Sequence, residues 1–487
     1  MLPMNVSIRC LFFLACLQGG LSALAADQPN VLLIMADDIG IEGLGCYGGT
    51  SYQTPNLDRM ADDGIRFTHA FAQPLCTPTR VQLMTGKYNH RNWRSFGILP
   101  PDQTTFGHRM KSAGYATGIF GKWQLQSYDP PDYPSADLRR ATGMHPKDAG
   151  FDQYALFHSL HTEDKGSRYA NPTMLEGLAG SDGELKTYAG RYGTDIWVEQ
   201  ILTFFDQHKG QPTFVYYPMA LPHHPFEPTP ASPGWDPSLP PPAQDPKFAK
   251  DMIQYMDTAV GRLLDGLKQR DLDQSTLVIF YGDNGTHQQV RSSMDDGRVV
   301  SGGKGLTTQT GIHVPLIAKW PGHIRPSVSN RIVDASDFVP TLLEVVGATV
   351  PDDQQLDGIS FKGDLLGAPT VDRPAAFFWY DPRPGWDKDA FTRSVFAVDR
   401  GHKLFRDGRL FRLSDLPLQE TLIDRDDWND DDRAAAKRLS LVIAEQMAGV
   451  DEPPLVDETG TPVDPAVDPA IDPAIDPAID PAIDRRR

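Results

Sequence analysis

Basic residues are in short supply in this sequence. Its 487 residues contain 46 lysines and arginines against 64 aspartates and glutamates, which gives a formal net charge of -18 and a pI near 5.1. So negative a field repels nucleic acid, and we therefore expect no nucleic-acid partner. An anionic substrate would need a local pocket of positive charge set against this field.

Long hydrophobic runs are also lacking. Residues 11–17 form a short apolar run after Arg9 and before the small residues 23–25, which is the pattern of a secretory signal peptide. The run is too short to span a membrane, and no later stretch is long enough. We expect residues 1–25 to be a signal peptide and the mature protein to be exported, periplasmic or secreted, without a membrane span. A lipoprotein signal ending at Cys16 is the alternative.

Cysteine is scarce as well. Of four cysteines, Cys10 and Cys16 lie in the predicted signal peptide, so only Cys46 and Cys76 remain. A single disulfide is the conservative interpretation for an exported protein. Cys46 is expected to be a small buried residue, whereas the residues that follow Cys76 favour a chemical role.

Apolar strands alternate with helical segments through the first part of the chain. Strands are predicted at residues 31–35, 115–120, 214–217 and 276–281, and helices at 54–64, 102–113, 195–207 and 249–267. This alternation predicts an α/β domain at residues 26–367, with a largely parallel sheet covered by helices on both faces. Ligands of such sheets bind beyond the carboxyl ends of the strands.

The pattern changes after residue 367. Short strands at 375–379, 394–398, 402–406 and 409–413 and a helix at 431–447 predict a second domain over residues 368–452 with a small antiparallel sheet. Residues 453–487 include an Asp-Pro-Ala-Ile repeat, in which regular proline prevents a stable helix or ladder. We expect a disordered tail there.

Two pairs of oxygen-bearing side chains follow predicted strands. Asp37 and Asp38 come after the strand at 31–35, and Asp283 and Asn284 come after the strand at 276–281. One such pair alone would more often cap a turn. Two pairs at two strand ends, without histidine or thiolate, suit a hard cation, Ca²⁺ or Mg²⁺.

Residues 76–86 read Cys-Thr-Pro-Thr-Arg-Val-Gln-Leu-Met-Thr-Gly. This run resembles the signature of the type I sulfatases, Cys-x-Pro-x-Arg with a trailing Thr-Gly, and the resemblance extends from residue 30 to residue 422. It implies a formylglycine-dependent, arylsulfatase-like enzyme of the alkaline phosphatase superfamily. The implied fold is an alkaline-phosphatase-like sandwich, with a large mostly parallel sheet between helices and a smaller C-terminal domain.

The same resemblance implies how the site works. Cys76 would be oxidised to formylglycine by a formylglycine-generating maturation enzyme, and one Ca²⁺, favoured over Mg²⁺, would be held by the four oxygen-bearing residues. Arg80 would hold the hydrated aldehyde, Lys122 and Lys304 would stabilise the sulfuryl oxygens, and His223 would protonate the leaving oxygen. Taken singly, each of these side chains is more often solvated or structural.

Two departures from the family pattern stand out. The family reads Gly-Lys-Trp-His, but Gln124 stands where the histidine is expected, and an amide cannot take up a proton at working pH. Another base such as His161, His287 or His313 would serve, or the proton would pass to water, or turnover would be slow. The second departure is the stretch 307–315, which would tune the substrate pocket.

The sequence therefore predicts a sulfuric ester hydrolase acting on a sulfated small molecule or glycan, with a carbohydrate favoured. Side chains of the second domain would line a substrate subsite: Tyr380, Arg383, Trp386 and Arg393. The alternatives are a phosphodiesterase or phosphonate monoester hydrolase of the same superfamily, and a catalytically impaired protein that binds sulfated glycans.

Overall fold

The predicted strand at residues 31–35 lies in the middle of a ten-stranded sheet. The computed structural model describes residues 28–157, 167–239, 244–349, 355–414 and 416–463. The strands, in chain order, are β1 (Asn30–Ala36), β2 (Ile65–Phe71), β3 (Ala116–Lys122), β4 (Gln153–Phe157), β5 (Thr173–Leu178), β6 (Glu184–Thr187), β7 (Thr213–Pro218), β8 (Thr276–Gly282), β9 (Arg291–Ser293), β10 (Val299–Ser301), β11 (Leu316–Lys319), β12 (Ser327–Asp334), β13 (Ala376–Tyr380), β14 (Ser394–Val398), β15 (His402–Phe405), β16 (Leu410–Leu413) and β17 (Glu420–Ile423).

The α-helices connect and cover these strands. They are α1 (Pro55–Asp62), α2 (Cys76–Thr85), α3 (Phe106–Ser112), α4 (Gly193–Gln207), α5 (Ala249–Lys268), α6 (Gln309–Ile312), α7 (Phe338–Val345), α8 (Lys362–Leu366) and α9 (Asp430–Met447). Each predicted helix has a counterpart, with ends that differ by at most four residues.

The large sheet has the order β12-β2-β11-β8-β1-β7-β3-β4-β5-β6. The central strands β8, β1, β7, β3 and β4 are all parallel, whereas β11, β5 and β6 introduce antiparallel pairs. Successive residues of β1 point to opposite faces: Leu32 and Ile34 pack with α1, α4 and α5, while Leu33 and Met35 pack with α2, α3 and α7. Burial on both faces explains the continuous apolar run. The predicted sandwich is confirmed.

The C-terminal part forms the predicted small antiparallel sheet. Strands β13 to β17 pair in sequence order, and Leu439 and Ile443 of α9 pack against one face. The other face packs on the α/β domain, where Phe378 and Phe396 contact the cluster of Phe71 at the end of β2. The sequence pattern missed the fifth strand, β17.

Part of the segment predicted as a tail is folded. Val456 pairs with Pro462 in an isolated bridge, and the carbonyl oxygens of Glu458 and Thr459 accept hydrogen bonds from Gly385 N and Arg139 Nη1 at 2.8 and 2.7 Å. Residues 464–487 and the predicted signal peptide lie outside the described residues. Within the described ranges, no helix has both the length and the apolar character needed to cross a membrane.

Candidate active site

The residues predicted for the site converge at the carboxyl ends of four neighbouring strands. Asp37 and Asp38 follow β1, Asp283 and Asn284 follow β8, Lys122 ends β3, and His223 lies shortly after β7. Since these strands are adjacent and parallel, their carboxyl ends meet at one edge of the sheet. Helix α2 and the loop after β10 bring the remaining members: Cys76, Arg80 and Lys304.

The local structure of α2 explains the spacing of the cysteine motif. Cys76 is the first helical residue, and Pro78 lies in the first turn, where no backbone N–H is needed for a helical hydrogen bond. Arg80 follows one turn after Cys76 and so faces the same side. Gly86 ends the helix with φ of 69°, a left-handed conformation that glycine adopts without strain.

Cys76 borders one half of a buried charged network. Nζ of Lys122 donates to Oδ2 of Asp37 at 2.6 Å and lies 3.9 Å from Sγ of Cys76. Nε and Nη2 of Arg80 donate to Oδ2 of Asp283 at 3.1 and 3.0 Å, and Nη2 lies 3.6 Å from Oδ2 of Asp37. All five side chains are at most 2% exposed, so water screens these charges little.

The other half of the network surrounds Asp38. Its Oδ1 accepts from Nδ2 of Asn284 at 2.9 Å, and its Oδ2 accepts from Nζ of Lys304 at 2.7 Å. Nζ of Lys304 also lies 3.0 Å from Nε2 of His223. The backbone N–H of Asp38 donates to Oδ1 of Asp283 at 3.0 Å, which joins the two halves. All nine predicted site residues thus belong to one connected cluster.

Burial and neighbouring charge shift the pKa values in the cluster. Burial raises the pKa of Cys76 and of Asp38, and burial together with the charge of Asp37 raises that of Asp283 to about 7. Burial also opposes charge on Asp37, but Lys122 and Arg80 outweigh it and lower the pKa of that carboxyl. Burial and the nearby ammonium of Lys304 bring the pKa of His223 well below its usual range.

The oxygen atoms of this cluster suit a hard cation. Oδ1 of Asp37 and Oδ1 of Asn284 are buried and have no hydrogen-bond donor, which is costly for polar atoms without another partner. Three carboxylates are opposed by three cationic side chains, so the cluster is close to neutral. A dication there would relieve the carboxylate crowding and leave a net positive site for an anion.

A second group of ligand atoms does not suit a cation equally well. Atoms of Asp38, His223 and His224 lie within 4.8 Å of one another. However, the ammonium of Lys304 already bonds to Asp38 and lies against His223. A cation bound there would have to displace that positive charge, so this group suits a cation less well than Asp37, Asp38, Asp283 and Asn284 do.

Comparison with known proteins agrees with this geometry. The Sulfatase family profile matches residues 29–348. The chain belongs to the sulfatase family. It is 32% identical to arylsulfatase A of Bos taurus over 418 residues, 79% of this chain and 75% of that protein. It is 29% identical to N-acetylgalactosamine-6-sulfatase of Homo sapiens over 388 residues, 74% and 70% of the two chains. The crystal structure of Ps i-CgsB in complex with k-i-k-neocarrahexaose has a TM-score of 0.65 at 22% identity, covering 90% of this chain and 96% of that one.

Gln124 of this sulfatase lies directly beside the cysteine. Its Oε1 is 3.6 Å from Sγ of Cys76, and the thiol is the donor. The residue is 4% exposed and has φ of 49°, the left-handed region that few non-glycine residues adopt. The side chain is therefore built into the site, as a hydrogen-bonding partner without a titratable proton.

The alternative bases differ in their placement. Nε2 of His313 is hydrogen-bonded to Thr68 O at 2.9 Å, its ring packs on Phe71, and burial lowers its pKa to about 4. The ring of His287 packs against His224, with centroids 4.8 Å apart. His161 lies outside the described residues.

Arg168 is a site residue of this sulfatase that the sequence pattern did not indicate. Its Nη1 lies 3.2 Å from Nδ1 of His223, and its guanidinium stacks 5.2 Å from the ring centre of Phe157 at the end of β4. It adds positive charge behind the imidazole. No motif surrounds it in the sequence, so only the folded arrangement reveals it.

The C-terminal domain reaches the site with aromatic side chains and with Lys388, whose ammonium lies 4.3 Å from the ring centre of Phe96. Tyr380 packs in one apolar cluster with Cys76, Phe96 and Tyr128, and Trp386 packs against that cluster. Arg383 pairs with Asp381, and Arg393 pairs with Asp381 and donates to the carbonyl oxygens of Pro453 and Pro454. Their place in a substrate subsite stays a prediction.

The two cysteines of the described chain are both free, which excludes the conservative disulfide interpretation. Cys46 is half-buried beside Asp58, whose carboxylate accepts from its backbone N–H at 2.7 Å. Burial and this carboxylate raise the pKa of the Cys46 thiol. It is therefore a structural residue rather than a reactive one.

Proposed function

We propose that this sulfatase hydrolyses the sulfate ester of a carbohydrate, with a formylglycine made from Cys76 as its nucleophilic group. The position of Cys76 is the observation that supports this proposal most directly. It begins a helix, borders Lys122 and Gln124, and faces a buried cluster of three carboxylates and three cationic side chains. Sulfate ester cleavage needs fixed positive charge around the transferred group, and this cluster offers it.

The position of each side chain suggests its role in the reaction. Lys122 and Lys304 would bind the sulfuryl oxygens, since the ammonium of Lys122 lies 3.9 Å from Sγ of Cys76 and the charge of Lys304 also acts on that thiol. Arg80 would orient the group at residue 76 from one turn away. Nε2 of His223, which lies 3.0 Å from Nζ of Lys304, would give a proton to the leaving oxygen.

A hydrated aldehyde at residue 76 would supply the attacking oxygen, and a bound Ca²⁺ would polarise it and the sulfate. Asp37, Asp38, Asp283 and Asn284 would hold that ion, because the donor set is all oxygen and two of the atoms lack a partner. We propose Ca²⁺ over Mg²⁺, since this irregular carboxylate and amide set suits the more flexible coordination of Ca²⁺. A formylglycine-generating enzyme would act on the chain before it folds around the buried Cys76.

A carbohydrate is the substrate class that the surroundings of the site favour. Trp386 is half-buried beside the buried rings of Phe96, Tyr128 and Tyr380 next to Cys76, and a sugar ring could stack on its exposed part by an apolar C–H face. The relative named N-acetylgalactosamine-6-sulfatase is by name a sulfatase of an amino sugar. Export of the protein, proposed from the residues before 26, would bring it to extracellular glycans.

One assay separates this proposal from its rivals. Matured protein would be given matched aryl esters of sulfate, phosphate and phosphonate, followed by a panel of sulfated mono- and oligosaccharides. We expect the sulfate ester to be cleaved fastest and at least one sulfated sugar to release inorganic sulfate. Faster cleavage of the phosphate or phosphonate ester would favour the superfamily alternative. Binding of sulfated sugars without sulfate release would favour a glycan-binding protein.

A further inference from the structure

The loop that carries Lys304 is fixed to the catalytic domain on one side. The backbone N–H of Lys304 donates to Thr286 O at 3.0 Å, and that of Gly305 donates to Pro74 O at 2.8 Å. Gly285 lies so close to this loop that a Cβ there would approach Thr310 O to 1.9 Å. The loop thus links the segment after β8 to the segment just before Cys76.

The C-terminal sheet holds the same loop from the other side. Nζ of Lys403, on β15, donates to Thr307 O at 2.8 Å and to Oε1 of Glu420, on β17, at 2.6 Å. Oε2 of Glu420 accepts from the backbone N–H of Gln309 at 3.0 Å. One ion pair therefore bonds to the loop at two points, three and five residues after Lys304.

Burying the ammonium of this ion pair is unfavourable in free energy. Lys403 is 1% exposed, its ammonium lies 4.7 Å from the ring centre of Phe411, and burial lowers its pKa. Removing an ammonium from water is unfavourable unless the charge gains hydrogen bonds in return. An apolar side chain would fill the same space, but it would leave Thr307 O without its donor. The hydrogen bonds that Lys403 gains in return are thus those that hold the loop in place.

We infer that Lys403, together with Glu420, is a positioning residue for Lys304, and that the C-terminal domain sets the anion affinity of the active site through this pair. The inference rests on the proposed role of Lys304 in binding the sulfuryl group. Lys403 itself bonds to the loop backbone, so its influence on the anion passes through the position of the Lys304 ammonium. Displacements of about 1 Å in such a group cost up to about 100-fold in rate.

Binding of inorganic sulfate, measured by calorimetry, tests the inference without requiring turnover. We expect Lys403→Met to weaken sulfate binding about tenfold and to lower kcat/KM by about 10- to 100-fold. Arg412→Met is the matched control, since it breaks an ion pair of the same sheet, Arg412 with Asp432 at 2.6 Å, that faces α9. It should leave sulfate affinity unchanged. Wild-type affinity in Lys403→Met would overturn the inference.

A double-mutant cycle with Lys304→Ala shows whether Lys403 acts through Lys304. We expect Lys403→Met to weaken sulfate binding much less in the Lys304→Ala background than in the wild type. Equal losses in both backgrounds would overturn the inference. If Lys403→Met does not fold, Glu420→Gln replaces it in the same cycle. If Lys304→Ala itself binds sulfate and turns over like the wild type, the proposed function fails. If only Lys403→Met is silent, the inference alone fails.

Discussion

The amide oxygen of Gln124 lies 3.6 Å from the sulfur of Cys76, and it accepts the hydrogen bond of the thiol. A glutamine at this place orients the side chain of residue 76 but cannot ionise. The pH dependence of turnover should therefore show no titration from this position.

Gln124→His should add such a titration. Histidine tolerates the left-handed backbone at this position better than most residues do, and it brings a group that titrates near neutral pH. We expect the kcat profile of the variant to gain an ionisation between about pH 5 and pH 8. The measurement is kcat against pH for both proteins, with Gln124→Asn as the non-ionising control. Profiles of the same shape for Gln124→His and the wild type would contradict the expectation.

Arg80→Met should destabilise the fold as well as abolish activity. Arg80 donates two hydrogen bonds to Oδ2 of Asp283, and both side chains are buried. Removing one partner of a buried pair leaves the other charge uncompensated, which typically costs about 3–5 kcal/mol. Urea unfolding at neutral pH measures this loss, and Arg80→Lys, which keeps the charge, should lose less. An unchanged midpoint for Arg80→Met would show that the pair contributes nothing to stability.

Calcium should stabilise the protein, and a chelator should reverse the effect. A ligand that binds only the folded state at about 100 times its Kd adds about 2.7 kcal/mol. Thermal unfolding with and without Ca²⁺ would measure this gain. Asp37→Asn should abolish the response, whereas Asp63→Asn, which removes a surface carboxylate that pairs with Lys319, should retain it. A full response in Asp37→Asn would contradict the assigned ligands.

Glu42 should make stability fall as pH rises. It is fully buried, and burial raises its pKa to about 7 although a hydrogen bond with Thr286 opposes the rise. In the unfolded chain it ionises near pH 4.5, so between these two values the folded state holds a proton that the unfolded state has released. This extra proton adds about 3 kcal/mol to the free energy of unfolding below pH 4.5, and the gain is lost by about pH 7.

Glu42→Gln isolates this contribution, because an amide does not titrate. The stability of the variant minus that of the wild type should be larger at pH 8 than at pH 5. Urea midpoints of both proteins at the two pH values measure this difference. An identical difference between the two proteins at both pH values would show that Glu42 stays in one protonation state.

The buried parallel strands were predictable because each is a continuous apolar run. Residues of β1 and β8 are buried on both faces, so the sequence carries no alternation and little ambiguity. Strand β6 was missed because all four of its residues are exposed and pair only at the sheet edge. Strand β11 has four residues, and its position between β8 and β2 is fixed by tertiary pairing alone.

The candidate site was predictable where a polar or charged residue follows the end of a strand. Asp37, Asp283 and Lys122 each follow a recognisable strand, and parallel strands bring their carboxyl ends together. Arg168 and Lys403 were not predictable, since each acts on an atom that only the folded chain places nearby: Nδ1 of His223 and Thr307 O. The pairing of Arg383 and Arg393 with Asp381 was also not predictable, because the three side chains meet only in the folded chain.

The mass of the peptide that contains Cys76, measured on protein of known specific activity, tests the central claim most directly. The account predicts that an aldehyde replaces the thiol at residue 76, that activity rises in proportion to the aldehyde fraction, and that Cys76→Ala is inactive although folded. Fully active protein in which residue 76 is an unmodified thiol would contradict it.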